Sequence, residues 1–145
     1  MKKKVLMKVF LALLPAMAVL LATTGDSVKV YDLSAGTVQT CSYFSILPVA
    51  ELKMVTPLAA MLAVVALVLA LVYVIAGKQW CIQGVFYTAC ASTCVAAIPN
   101  VIRGDVMVLP NVMFPVLMAV LCVLSNLARK KPEEKPTGVR LGDKK

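Results

Sequence analysis

TPLAAMLAVVALVLALVYVIA, residues 56–76, contains no charged side chain. Such a run rises about 30 Å as an α-helix, which matches the hydrocarbon thickness of a bilayer. Pro57 falls in its first turn, where a missing N–H costs nothing. The reading of this stretch as a membrane span decides the rest of the chain.

Outward from it the same pattern recurs. Gly77-Lys78-Gln79 makes a very tight connection. A second apolar run covers residues 80–98, with Trp80 at interface depth as an aromatic anchor. Pro99 and Asn100 are expected to end it, and Arg103-Gly104-Asp105 forms the next short loop. Residues 107–128 make another span, with Pro110 near its start and Pro115 inside it. A proline within a span is tolerated when neighbouring helices satisfy the freed carbonyl. Residues 5–23 follow three lysines and carry Lys8 as their only charge. That resembles a secretory leader, but Thr23-Thr24-Gly25 is a mediocre cleavage site, so an uncleaved first helix, a signal anchor, is expected. The expected fold is therefore an all-α integral membrane protein, a four-transmembrane-helix bundle with spans at about 5–23, 56–76, 80–98 and 107–128.

The outer loop, residues 24–55, is the only sizeable polar region. Residues 27–31 and 37–44 are rich in Val, Thr, Tyr and Phe, which suits strands. Asp32-Leu33-Ser34-Ala35-Gly36 between them reads as a turn ending in Gly. A small extracytoplasmic β-hairpin between helices 1 and 2 is expected. Pro48 discourages continuous helix as Ile46-Leu47-Pro48-Val49 returns to the bilayer. Residues 129–145 are charged, contain Pro132 and Pro136, and read as a disordered basic tail.

Composition agrees. Of 145 residues, 61% are apolar and 15% charged. Soluble domains are nearer 45–50% and 25%. The net charge of +8 sits at the ends and beside the apolar runs. That placement suits lipid headgroups rather than nucleic acid, for which no aromatic-and-basic stacking patch exists. Twelve of the fifteen Lys and Arg lie at the N-terminus, at Lys78 and in the tail; the others are Lys29, Lys53 and Arg103. The positive-inside rule then puts both termini in the cytoplasm of a multi-pass protein of the cell membrane.

Two helix faces stand out. Ala59, Ala63, Ala66, Ala70, Tyr73 and Gly77 recur at spacings of four and three, which places them on one face. Small residues there let backbones approach, so Ala59, Ala63, Ala66, Ala70 and Gly77 are expected to form a helix-packing seam. The bland explanation is that alanine is common in apolar segments. The third span carries Gln83, Tyr87, Cys90 and Cys94 at similar spacing, with Thr88, Ser92 and Thr93 close by. As the most polar span it is expected to face protein, with Gln83, Tyr87, Thr88, Cys90 and Cys94 as a polar lining for a small solute. The alternative is that Cys acts as a small hydrophobe and Ser/Thr bond back to their own helix.

Catalytic chemistry finds little support. The chain has no histidine, no phosphate loop, no nucleophile elbow and no paired carboxylates. Cys90 and Cys94 alone fall short of a Zn or Cu(I) set, even with Met113 and Met118 on the fourth span, so no metal or other cofactor is expected. Cys41 and Cys81 fall at opposite ends of the bundle and read as spare thiols, Cys81 being placed to accept palmitate and Cys41 to crosslink copies. No Asp, Glu, Lys or Arg lies within spans two to four. Ion-coupled transporters depend on such residues. Small multidrug exporters of this size need a membrane-embedded Glu, which is missing. Arg103-Gly104-Asp105 spells an adhesion tripeptide, a match too short to count.

Ser42-Tyr43-Phe44-Ser45, Leu47-Pro48-Val49, and Arg103-Gly104 followed by Val108-Leu109-Pro110-Asn111 resemble phrases of uncharacterised small bacterial four-span membrane proteins. The resemblance implies the architecture and no activity. An outer hairpin between the first two of four spans is also similar to the claudin layout, without the tryptophan and paired cysteines of that loop. The expected role is an accessory or regulatory subunit, not an enzyme, that binds the lipid bilayer and another membrane protein or itself. The alternative is an oligomeric channel or permease for a small neutral solute.

Overall fold

The structure is a computed structural model. It describes residues 2–24, 28–32, 36–44, 54–102 and 109–129. The return segment around Pro48, the Arg103-Gly104-Asp105 loop and all of the tail beyond Arg129 lie outside them.

The described residues form four helices: α1 (Lys2–Thr23), α2 (Val55–Ala76), α3 (Gln79–Ile102) and α4 (Leu109–Arg129). Each is long and apolar enough to cross a membrane. Between α1 and α2, strands β1 (Val28–Asp32) and β2 (Thr37–Cys41) pair antiparallel, with Val28 opposite Cys41 and Asp32 opposite Thr37. Residues 33–35 of the expected turn are outside the described residues.

Local chemistry sets the helix ends. At the end of α2, Gly77 takes a left-handed φ of 67°, and its N–H donates to the Tyr73 carbonyl at 2.9 Å. Glycine adopts this conformation without a Cβ penalty, so the chain reverses within two residues and α3 starts at Gln79. Gly77 is exposed here. It therefore serves as the C-cap of α2 and is not part of the packing seam, a correction to its expected role. Pro99 and Asn100 do not end α3, which continues to Ile102. A proline ring fixes φ near the helical value and removes one hydrogen bond, a loss that a short further turn absorbs. Pro15 and Pro115 likewise lie inside continuous helices.

The tight α2–α3 connection makes those helices antiparallel neighbours. The main contacts run α1 to α2, α2 to α3, α3 to α4 and α4 back to α1. This is the ring of an up-down-up-down bundle. The ring gathers Lys4, Lys8, Lys78 and Arg129 at one end. Lys8 Nζ there lies 5.9 Å from the centre of the Tyr73 ring, and Arg129 lies 5.2 Å from that of Phe86. Both distances are within cation–π range.

The packing has the inside-out character that lipid allows. The buried side chains of α2 are Thr56, Ala59, Ala60, Ala63, Ala66 and Ala70. Its larger side chains Leu58, Met61, Val65, Val68, Leu71 and Ile75 are exposed. In water this would strand the strongest hydrophobes outside. In hydrocarbon they lose nothing, and small residues let the backbones meet instead. Bulk in the core comes from elsewhere: Leu11 on α1, Ile82 and Val85 on α3, and Phe114, Met118 and Leu121 on α4.

Candidate functional site

Three places concentrate polar or reactive groups. The first is the small face of α2, where Ala59, Ala63, Ala66 and Ala70 are wholly buried and Ala59 meets α3. Ser92 of α3, also buried, donates its hydroxyl across the seam to the Ala59 carbonyl at 3.0 Å. A hydroxyl can reach a carbonyl of another helix only where the backbones lie close, and the small Ala59 side chain permits that approach. Gly84 marks a second close approach: a Cβ built there would sit 2.9 Å from Leu69 Cδ1. Thr56 Oγ1 is buried without a hydrogen-bond partner among the described residues. Ser92 carried a weak signal in the sequence as part of a polar cluster, but its partner on α2 was not legible.

The second place is the polar side of α3. The expected lining residues do not converge on the bundle interior. Gln83, Tyr87 and Cys94 are exposed, and Tyr87 keeps 63% of its surface open. Thr88 is half-buried and bonds back to the carbonyls of Gly84 (2.8 Å) and Val85 (3.2 Å). Thr93 does the same to Ala89 at 2.8 Å. The side of α3 that is buried consists of Cys81, Ile82, Val85, Ala89, Ser92 and Ala96. It is mostly apolar, and packing against α2 and α4 decided which face went inside. The polar stripe of Gln83, Tyr87 and Cys94 thus lies on the outer surface of the bundle.

Cys90 departs from that stripe. It is half-buried, and its Sγ lies 2.6 Å from the Sγ of Cys122 on α4. Spacing along one helix groups Cys90 with Cys94 and says nothing of Cys122. The available signal was depth: Cys90 and Cys122 each fall near the middle of an antiparallel span. Among the described residues no group of three His, Cys, Asp or Glu side chains is placed to hold a metal.

The third place is the opposite end from the lysines. Tyr43, just after β2, is fully buried and stacks on Phe114 of α4, with ring centres 4.5 Å apart and planes 24° from parallel. Its N–H donates to the Ala22 carbonyl at the end of α1, at 3.1 Å. Tyr43 thereby ties the segment between α1 and α2 to two helices. Burial pushes its phenol well above the ordinary tyrosine range. The neutral phenol is the form the fold accepts. The stabilisation is complete below the unfolded tyrosine value of about 10 and is lost as pH rises beyond it toward the folded value. We expect stability in detergent to fall more steeply above about pH 10 than for a Tyr43→Phe variant; matching alkaline profiles would contradict the burial.

Compared with known proteins, the chain matches no family model, no curated protein and no solved structure.

Proposed function

We propose that the chain is an accessory or regulatory subunit that docks on another membrane protein through the outer face of α3. One observation carries this reading: Gln83 and Tyr87 project from the surface of a spanning helix, on the side away from the packed core. Polar side chains facing hydrocarbon are unfavourable, and contact with a second protein relieves that cost. Interhelical hydrogen bonds in membranes average about 0.6 kcal/mol, so several are needed, and a stripe offers several. The basic end defined by Lys4, Lys8, Lys78 and Arg129 supports placing both termini in the cytoplasm of the cell membrane. The paired strands then form a small outer β-hairpin, held to the bundle through Tyr43. The resemblance to small bacterial four-span proteins fits this reading and adds no activity, and no catalysis is assigned.

The test is a photo-crosslinking residue at position 87 in native membranes, with position 68 on the outward face of α2 as control. The expected result is one dominant protein adduct from position 87, none from position 68, and loss of the partner on Gln83→Leu. Lipid adducts alone from both positions would overturn the proposal. A dominant adduct to a second copy would instead favour the channel reading, in which several copies turn the stripe toward a shared path for a neutral solute. Thr88→Val and Gln83→Leu would then alter flux in liposomes.

A further inference from the structure

The structure points to a use for two cysteines that the docking role leaves aside. Cys90 of α3 and Cys122 of α4 bring their sulfurs to 2.6 Å. A bonded disulfide spans about 2.05 Å, so only about half an ångström separates this contact from a covalent link. The two residues come from neighbouring helices that pack along the bundle.

Their depth is equally specific. Cys90 lies eleven residues beyond Gln79, about 16 Å along α3. Cys122 lies ten residues beyond Val112, about 15 Å along the spanning part of α4. Both thiols therefore sit near the middle of a hydrocarbon layer about 30 Å thick. Water-soluble oxidants and thiol-exchange proteins do not reach that depth. Both residues are only half-buried, so a reagent dissolved in the bilayer can approach them from the side. The other thiols are placed differently. Cys81 is buried near the basic end, Cys41 lies in β2 outside the helices, and Cys94 is exposed one turn beyond Cys90. A buried lone cysteine commonly acts as a small hydrophobe. Two facing cysteines at one depth, with sulfurs inside van der Waals contact, form a couple.

We propose that Cys90 and Cys122 form an intramembrane dithiol–disulfide couple, oxidised by a lipid-soluble acceptor of the quinone class. In the forward step the two S–H bonds break and one S–S bond forms. The two electrons and two protons released pass to the two carbonyl oxygens of the quinone, which leaves as the hydroquinone. Reduction by a hydroquinone or dithiol reverses the balance. The oxidised bond links α3 covalently to α4 and removes freedom from the opened chain.

The experiment uses the full chain in membrane vesicles, treated with a short-chain quinone and quenched in acid. Free thiols are then counted after denaturation by the mass added with a polymer-linked maleimide. The chain has five cysteines. The expected count is five before the quinone and three after it, restored to five by reductant. Cys94→Ser should fall from four to two, while Cys90→Ser and Cys122→Ser should each stay at four. Mass spectrometry of the unsubstituted chain should give one linked peptide pair containing Cys90 and Cys122, which does not depend on any variant folding. Five free thiols after treatment would overturn the proposal. So would a loss of two thiols that persists in Cys90→Ser, or a linked pair that includes Cys94 instead.

Discussion

Ala63→Leu is expected to lower the melting temperature of the bundle in mild detergent, and Ala66→Leu to do the same. Both alanines are completely buried, on the same small face of α2 as Ala59. Their neighbourhood includes the Ser92–Ala59 hydrogen bond, which depends on close backbones. A leucine there adds a branched side chain where there is no room. Overpacking a well-filled core costs about 1–3 kcal/mol per site. Positions 63 and 66 are three apart and share one face, so the double variant should not be additive. The solvent offers no compensation, since leucine gains little by leaving lipid. Val65→Leu and Val68→Leu are the matched controls, because both side chains already face outward. Those variants should melt within error of the unsubstituted chain. If the Ala63 and Ala66 variants melt with the controls, close packing of the small α2 face inside the bundle is wrong.

Phe114→Ala is expected to have an effect at least as large, at the other end of the bundle. Phe114 is fully buried and stacks on Tyr43. Removing a buried phenylalanine from a soluble core costs about 3–5 kcal/mol, of which part is transfer and part is the cavity left behind. Near the membrane surface part of the transfer contribution shrinks, but the cavity and the lost ring contact remain. The ring contact alone is worth about 0.5–1.5 kcal/mol. Tyr43 would also gain access to water through the space vacated. Its phenol should then ionise closer to the ordinary tyrosine range, which ultraviolet difference titration against a Tyr43→Phe variant reads directly. A lower melting temperature with an unchanged Tyr43 titration would mean that the two rings are not each other's cover.

These residues also show what a sequence alone exposes and what it hides. The four long apolar helices were legible because charge is absent from long runs and lysines punctuate them. Their boundaries were less so: Pro99 and Asn100 read as a terminator, yet α3 runs to Ile102. A local breaker signal loses where the helix has only one further turn to make. The small face of α2 was legible as far as Ala70 because alanine recurred at helical spacing. Gly77 continued the same spacing but serves the turn, since the permissive backbone that suits a close contact also suits a C-cap. The orientation of α3 was not legible. Which of its sides packs inside depends on the complementary surfaces of α2 and α4, which lie elsewhere in the chain. The Cys90–Cys122 contact was hidden for the same reason: spacing relates residues within one helix, and this pair joins two. Tyr43 gave no sign of its burial, because nothing near it in sequence contains Phe114 or Ala22.

The whole account rests on four crossings with the basic end inside the cell. The direct measurement is residue-by-residue labelling of sealed, right-side-out vesicles with a membrane-impermeant maleimide. It would use a cysteine-free chain carrying one reporter cysteine at a time, at positions 40, 78 and 145. The account predicts that position 40 labels from outside, while positions 78 and 145 label only after the vesicles are opened. Labelling of position 78 or 145 in sealed vesicles, or protection of position 40, would contradict it.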